Sequence, residues 1–434
     1  MTDAFMGMTL TQKILSKAVG APVAVGQIIM PEPELVSVHD WYAANMAKAL
    51  DEVGVGKLYN PQRMMIVTDH EPVAASPRAS ERQRQVREIA RRFEVGHFFD
   101  VGRGGQGHVF PVELGYIRPG MFMAGYDTHV TNFGAVGALG VAVLTEVSEL
   151  AALGSVWMSV PETVRINLTG ALAPGTTIRD FAQHLISVLD DELVDDAVIE
   201  FAGPGLASIG VDGRYTLCNT PTELGARSSI VTPDQIVLEY LKDRVDGPLE
   251  LVASDEDAMF KAVFDWNLAL LEPQVAKPPR PDNVVGVSEV VGMPIDHAYI
   301  GSCASGMLED MREAARILRG REIDPRVRLF VTPATNEVAR QAAAEGAFDV
   351  ISAAGGIVTA PGCGVCAGGR IGGVTSGEVS IGTGTRNDPG RLGAHDASLY
   401  LASPATVAAS ALEGMIADPR RHAPTTADED LTHV

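Results

Sequence analysis

The sequence predicts an α/β protein built on mostly parallel sheets and divided into more than one domain. Three observations carry that expectation. Its 434 residues exceed what one hydrophobic core ordinarily serves, so two or three domains are expected. It is 46% hydrophobic but only 6% aromatic, and rich in Gly, Ala and Val, the profile of compact α/β enzymes. From residue 295 onward strand-like and helix-like runs alternate, which is the rhythm of βαβ units in a parallel sheet.

Along the chain, "MMIV" (64–67) and "GMFMAGY" (120–126) read as strands. Asp69-His70 and Asp127-x-His129 follow them at strand ends, and His108 sits in a glycine-bracketed loop between. The longest apolar run, "FGAVGALGVAVL" (133–144), is well short of the ~20 residues needed to span a bilayer. "ALGSVWMSVPETVRINLTG" starts a fresh strand pattern, so a second domain is expected from about residue 161 to 283. Within it, "TLCNTPTELGA" spaces Asn219 and Glu223 four apart, which would place them on one helix face. "LLEPQVAKPPRPDN" (270–283) reads as a proline-rich linker. A third domain, 284–422, then runs through "AYIGS", a helix over 307–319, "VRLFVTP", "NEVARQAAAEGAF", "GGIVTAP" and "VSIGTGT". The polar end, 423–434, reads as disordered.

Charge narrows the partners. With 34 basic and 55 acidic residues the net charge is −21, which argues against nucleic acid or an anionic membrane surface. The opening "MTDAFMGMTLTQKIL" lacks a signal-peptide pattern, and four unevenly spaced cysteines make no disulfide framework. A cytoplasmic protein is expected.

Two of those cysteines, Cys363 and Cys366, stand in "APGCGVCAGGR". Its glycine-rich flanks make a poor helix start for a thioredoxin-like pair, and no second pair completes a zinc site. Cys303, in "YIGSCASG", also follows a strand-like run. Three thiolates on loops after strands point to an iron–sulfur cluster with three protein ligands; unligated buried thiols are the plainer alternative. The same sheet edge carries Arg386 and Arg391 in "GTGTRNDPGRLG", which could clamp carboxylates or form an ordinary solvated pair.

"GSC", the Gly-Cys-x-x-Cys some sixty residues on, "TRNDPGRLG" and "LASPATVAASALEG" together resemble the aconitase superfamily. "TDHEP", "GHVFPVELGYIRPG", "AGYDTHVTNFGAVGALG" and "TLCNTPTELGA" extend the likeness over nearly the whole chain. It is nearest to large subunits of 3-isopropylmalate dehydratase and related hydro-lyases. The resemblance implies three α/β domains of the aconitase type built on mostly parallel sheets, lacking the swivel domain. It implies a [4Fe–4S] cluster on Cys303, Cys363 and Cys366 with one iron open as a Lewis acid, Cys218 not being a ligand. It also implies carboxylate–histidine pairs: Asp69 with His70, Asp127 with His108, and Glu223 with His129. Asn219, Thr128, Arg386 and Arg391 would contact substrate, a small 2-hydroxy dicarboxylic acid converted to an alkene diacid. A separate small subunit would supply the swivel domain and the base, making a heterodimer.

Departures from the family pattern cluster at substrate-facing positions: Cys303-Ala304-Ser305, Asp127-Thr128-His129-Val130, Thr385 before the first arginine, and the stretch "HDWYAANMAKAL". Asp388, beside the clamp, would repel a third carboxylate if it faced the site. Retained dehydratase chemistry on a substrate other than isopropylmalate is the resulting expectation. A catalytically inactive scaffold and a regulatory RNA-binding protein are the other readings. The retained Cys, His and carboxylate set stands against the first, the net charge of −21 against the second.

Overall fold

The apolar runs become strands of three larger sheets and a two-stranded pair of Ile28–Ile29 with Met158–Ser159. The computed structural model describes residues 7–422; the expected disordered end, 423–434, lies outside the described residues. The first sheet is wholly parallel, in the order His97–Phe99, Met64–Val67, Leu35–His39, Phe122–Gly125, Leu139–Ala142. Its three central strands are buried on both faces, which explains their unbroken apolar character. The second sheet, also parallel, orders Ser228–Val231, Val198–Ala202, Thr163–Thr169 and Ala262–Asn267.

The third sheet has seven strands. Ser398–Ala402, Val379–Gly382, His297–Ile300, Arg328–Val331 and Ile357–Val358 run parallel, as the βαβ rhythm predicts. Leu308–Leu318 is the crossover helix after His297–Ile300; its first turn carries Glu309 and Asp310, and Asp310 accepts the Met307 N–H at 2.9 Å. Pro404–Glu413 starts from a Ser403 cap with proline in the first turn and stops at a left-handed Gly414.

The stretch 270–283 is not a free linker. Gln274–Ala276 is a buried strand, paired antiparallel with Val284–Gly286 on one side and Ser398–Ala402 on the other. A three-residue antiparallel strand leaves no periodic trace in a proline-rich segment, so the sequence pattern concealed it. Asn219 and Glu223 do not share a helix either. The α-helix Val211–Asn219 ends there, and Pro221, which has no N–H to continue the ladder, turns the chain into the 3₁₀ segment Thr220–Leu224.

Candidate active site

The first and third sheets meet at their carboxyl edges, the usual ligand-binding edge of open α/β sheets. Asp69-His70 leaves Met64–Val67, Asp127 to His129 follows Phe122–Gly125, and His39 ends its own strand. From the third sheet, Cys303 follows His297–Ile300, Cys363 and Cys366 follow Ile357–Val358, and Arg386 and Arg391 follow Val379–Gly382. One cavity is lined by His70, His108, Asp127, Thr128 and His129 together with the three cysteines and both arginines. Asn219 and Glu223 reach its edge through hydrogen bonds to Cys303 and His129.

Each cavity thiol is buried and accepts a side-chain N–H, Cys363 from His70 as well as Gln106. Gln106 Nε2 lies 2.9 Å from Cys363 Sγ, Asn219 Nδ2 3.2 Å from Cys303 Sγ, and Arg391 Nη2 3.6 Å from Cys366 Sγ. Ser302, beside Cys303, is held in the left-handed region at φ 81°, its hydroxyl donating to the Thr383 carbonyl. Burial pushes the Cys303 thiol up to about 11 and Cys363 higher, whereas at Cys366 burial is outweighed by the Arg391 guanidinium, which brings it down. Cys218, by contrast, packs in the core beneath the second sheet.

This donor set fits a polynuclear cluster better than one ion. Among the described residues only His39, Asp69 and His70 bring ligand atoms within 4.8 Å of one another, so the three cavity thiols are too widely set for a single-metal cage. Sulfur ligands that each accept an N–H are the surroundings expected of Fe–S thiolates.

The acid–base groups form two linked systems. Asp69 accepts from His70 Nδ1 at 2.8 Å, from His39 Nδ1 at 2.9 Å and from the Gly107 N–H at 2.8 Å. Burial opposes its charge, yet the two imidazoles hold it well below the usual carboxylate range. His70 in turn is raised well above its ordinary value, burial being outweighed by the Cys363 sulfur and Asp69. His129 lies between carboxylates, Nδ1 3.2 Å from Asp127 and Nε2 2.9 Å from Glu223. Against burial, Cys303 and these carboxylates raise it well above the ordinary histidine value. Glu223 also accepts from Arg386 Nε at 2.6 Å.

The Asp127–His108 pairing is looser than expected. They stand 3.7 Å apart, beyond a hydrogen bond, because Asp127 turns to the His129 ring and backbone N–H. Both His108 nitrogens are buried without a hydrogen-bond partner, and burial with the adjacent His39 ring holds it well below its usual value. Arg391 Nε is buried and unpartnered in the same way. Asp388 is exposed and absent from the cavity wall, so the expected repulsion of a third carboxylate does not operate.

Sequence reasoning marked "HDWYAANMAKAL", which holds His39, Trp41 and Tyr42, as substrate-facing without assigning those residues roles, and it passed over Gln106, Tyr126 and Leu144. His39 had a signal, since "VSVHD" repeats the strand-end His–Asp logic of "MMIVTDH". Gln106 had none.

Comparison with known proteins places these residues in a family. The profile of the aconitase family (aconitate hydratase) matches residues 24–294 and 288–414. The chain is 38% identical to 3-isopropylmalate dehydratase large subunit 1 of Methanopyrus kandleri over 96% of this chain and 99% of that protein. It is 36% identical to the 3-isopropylmalate dehydratase large subunit of Aquifex aeolicus, covering 95% and 97%. It is also 36% identical to the probable methanogen homoaconitase large subunit of Methanothermobacter thermautotrophicus, covering 96% and 98%. The chain belongs to the aconitase family and is a hydro-lyase of its large-subunit type.

Proposed function

We propose that this chain is the large subunit of a two-chain iron–sulfur dehydratase acting between a small 2-hydroxy dicarboxylic acid and its alkene diacid. Cys303, Cys363 and Cys366 would hold a [4Fe–4S] cluster with one iron open. The observation that carries the reading is the convergence, on one cavity, of three N–H-bonded thiols, carboxylate-held imidazoles and two arginines. When bound, the cluster supplies a Lewis acid for the substrate's hydroxyl and carboxylate oxygens.

The chain's own residues would do the rest. Arg391, with its Nε unpartnered, and Arg386 bind substrate carboxylates, while Thr128 and Asn219 line the approach to the reacting hydroxyl. His70, its Nδ1 tied to Asp69, keeps Nε2 as the nitrogen that passes a proton to the departing hydroxyl. His129, between Asp127 and Glu223, stays cationic and balances negative charge gathered at the site. Abstraction of the carbon-bound proton falls to a small subunit; the relatives' naming as large subunits supports that partner.

The substrate class follows from the opposite wall. Trp41 Nε1 is taken by Glu71 at 3.3 Å and the Tyr42 hydroxyl by Asp127 at 3.4 Å, so both present ring faces beside Tyr126 and Leu144. Arg82 and Arg370 stack on the Trp41 ring, but both pair with Glu71 and neither lines the cavity, so among the described residues that wall offers a third carboxylate no free cation. We therefore take the substrate to be a malate with an apolar substituent, shaped by flat rings and distinct from isopropylmalate itself. The sheets support a division near residue 160 and a second between Asn267 and Gln274, earlier than 283, because Gln274–Ala276 already belongs to the third sheet. Among the described residues no helix is long and apolar enough to cross a membrane, and the four cysteines are unpaired. Both fit a cytoplasmic setting.

The test is iron and sulfide content with a visible spectrum on protein co-expressed with a small subunit and purified without air. About four irons per chain and a broad absorbance that bleaches in air would support the reading, as would formation of an alkene diacid from substituted malates. Failure to take up iron on anaerobic reconstitution would overturn it.

A further inference from the structure

We propose that Gln106 is a positioning residue for the cluster, its side-chain amide fixing the Cys363 thiolate and stabilising the charge on that sulfur. The proposal rests on the cluster reading above and adds a residue to it. Gln106 Nε2 donates to Cys363 Sγ at 2.9 Å, shorter than the contacts Asn219 and Arg391 make to the other two cavity thiols. The orientation of the amide is set independently: Gln106 Oε1 accepts the His108 backbone N–H at 3.3 Å. A backbone N–H can only donate, so the oxygen must face it and the NH₂ must face sulfur.

The loop carrying Gln106 is built to reach across from the first sheet to the third. Gln106 N–H donates to the Ala334 carbonyl at 2.7 Å, Asn336 N–H to the Gly104 carbonyl at 2.9 Å, and Gly105 bridges Thr335. Gly105 stands at φ +111°, and a Cβ there would lie 2.5 Å from the Ala334 oxygen, so only glycine permits this approach. Cys363 is tied back in return, its N–H donating to the Asp69 carbonyl at 2.9 Å. Asn219 serves Cys303 from the second sheet's unit and Arg391 serves Cys366 from the third. Gln106 is therefore one of the first sheet's holds on the metal-binding face, beside the Asp69 carbonyl on the Cys363 N–H and Asn132 Nδ2 on the Cys303 carbonyl. An N–H aimed at a thiolate favours the charged, ligating form, and outer partners of this kind are worth about 10–100-fold in metal retention.

Two variants separate this role from a structural one. Gln106→Leu removes both polar ends. Gln106→Glu keeps the shape and the acceptor for the His108 N–H, and replaces only the donor to sulfur with a negative oxygen. The reconstituted two-chain enzyme is followed, in mildly alkaline buffer without air, for iron released to a ferrous chelator and for the cluster's visible spectrum. Iron loss should be about tenfold faster than wild type in Gln106→Leu, and faster still in Gln106→Glu, with the spectrum altered in both. A purely structural role predicts the reverse order, with Glu close to wild type and Leu impaired; that order, or two variants indistinguishable from wild type, overturns the proposal. A wild-type protein that takes up no iron overturns it together with the dehydratase reading, whereas normal wild-type uptake with unaffected variants overturns it alone.

Discussion

Glu113→Gln should make the protein more stable, and increasingly so as pH rises. Glu113 is buried where the "GHVFPVE" segment meets the third sheet, its Oε1 accepting from the Thr335 hydroxyl at 2.8 Å. Burial pushes its carboxyl up to about 8, from an ordinary 4.5, with Glu337 and Asp212 adding to it and Thr335 and Arg244 opposing. A raised folded value means the native state binds the proton more tightly than the unfolded chain. Stability is then intact below the unfolded value and declines as pH climbs toward the folded one. At about 1.4 kcal/mol per pH unit, a shift of this size amounts to ~3–6 kcal/mol once the window is crossed. Glutamine imitates the neutral acid, can still accept from Thr335, and has no charge to develop. Thermal or urea unfolding of both proteins at about pH 5.5, 7 and 8.5 reads the difference, which should widen by about 1.4 kcal/mol per unit up to about pH 8 and level off beyond it. Other raised carboxyls, such as Asp180 and Glu309, are common to both proteins and cancel. A gap that stays constant with pH, or a wild type more stable in alkali, would refute the reasoning.

Cys366→Ser should abolish stable iron binding, while Cys218→Ala, in the core beneath the second sheet, should keep full iron at a cost of about 1–2 kcal/mol, read by metal analysis and unfolding. Glu223→Gln takes one of two carboxylates from His129 and the partner from Arg386; the alkaline limb of kcat/KM should move to lower pH by one unit or more, because an imidazolium with less support loses its proton earlier. Leu144→Gly should relieve a leucine held at φ 36°, stabilising the fold by about 1 kcal/mol in denaturation experiments. The same change should raise KM for apolar-substituted malates about tenfold and leave unsubstituted malate almost untouched.

What could be read in advance follows physical range. The parallel part of the third sheet was legible because "AYIGS" and most of "VSIGTGT" are buried on both faces, while "VRLFVTP" alternates in burial, and such runs need no partner to be seen. Asp69 beside His70 was legible for the same reason, the two being neighbours in the chain. The strand Gln274–Ala276 was not, since its pairing energy lies wholly with Val284–Gly286 and Ser398–Ala402. The break between Asn219 and Glu223 has a local cause, since Pro221 has no N–H with which to continue the helix, and four-residue spacing alone does not register it.

The sequence by itself determined the chemistry available: three thiols on loops after strands, histidines with carboxylates close in the chain, two arginines on one turn, and the family to which they belong. Only the tertiary structure decided who partners whom. Asp127 accepts from His129 rather than from His108, His39 shares Asp69, and Gln106 reaches Cys363 across 257 residues. Hydrogen bonds act over about 3 Å while the chain separating their partners runs to hundreds of ångströms. Such choices are therefore made by the docking of the sheets, which no local spacing records.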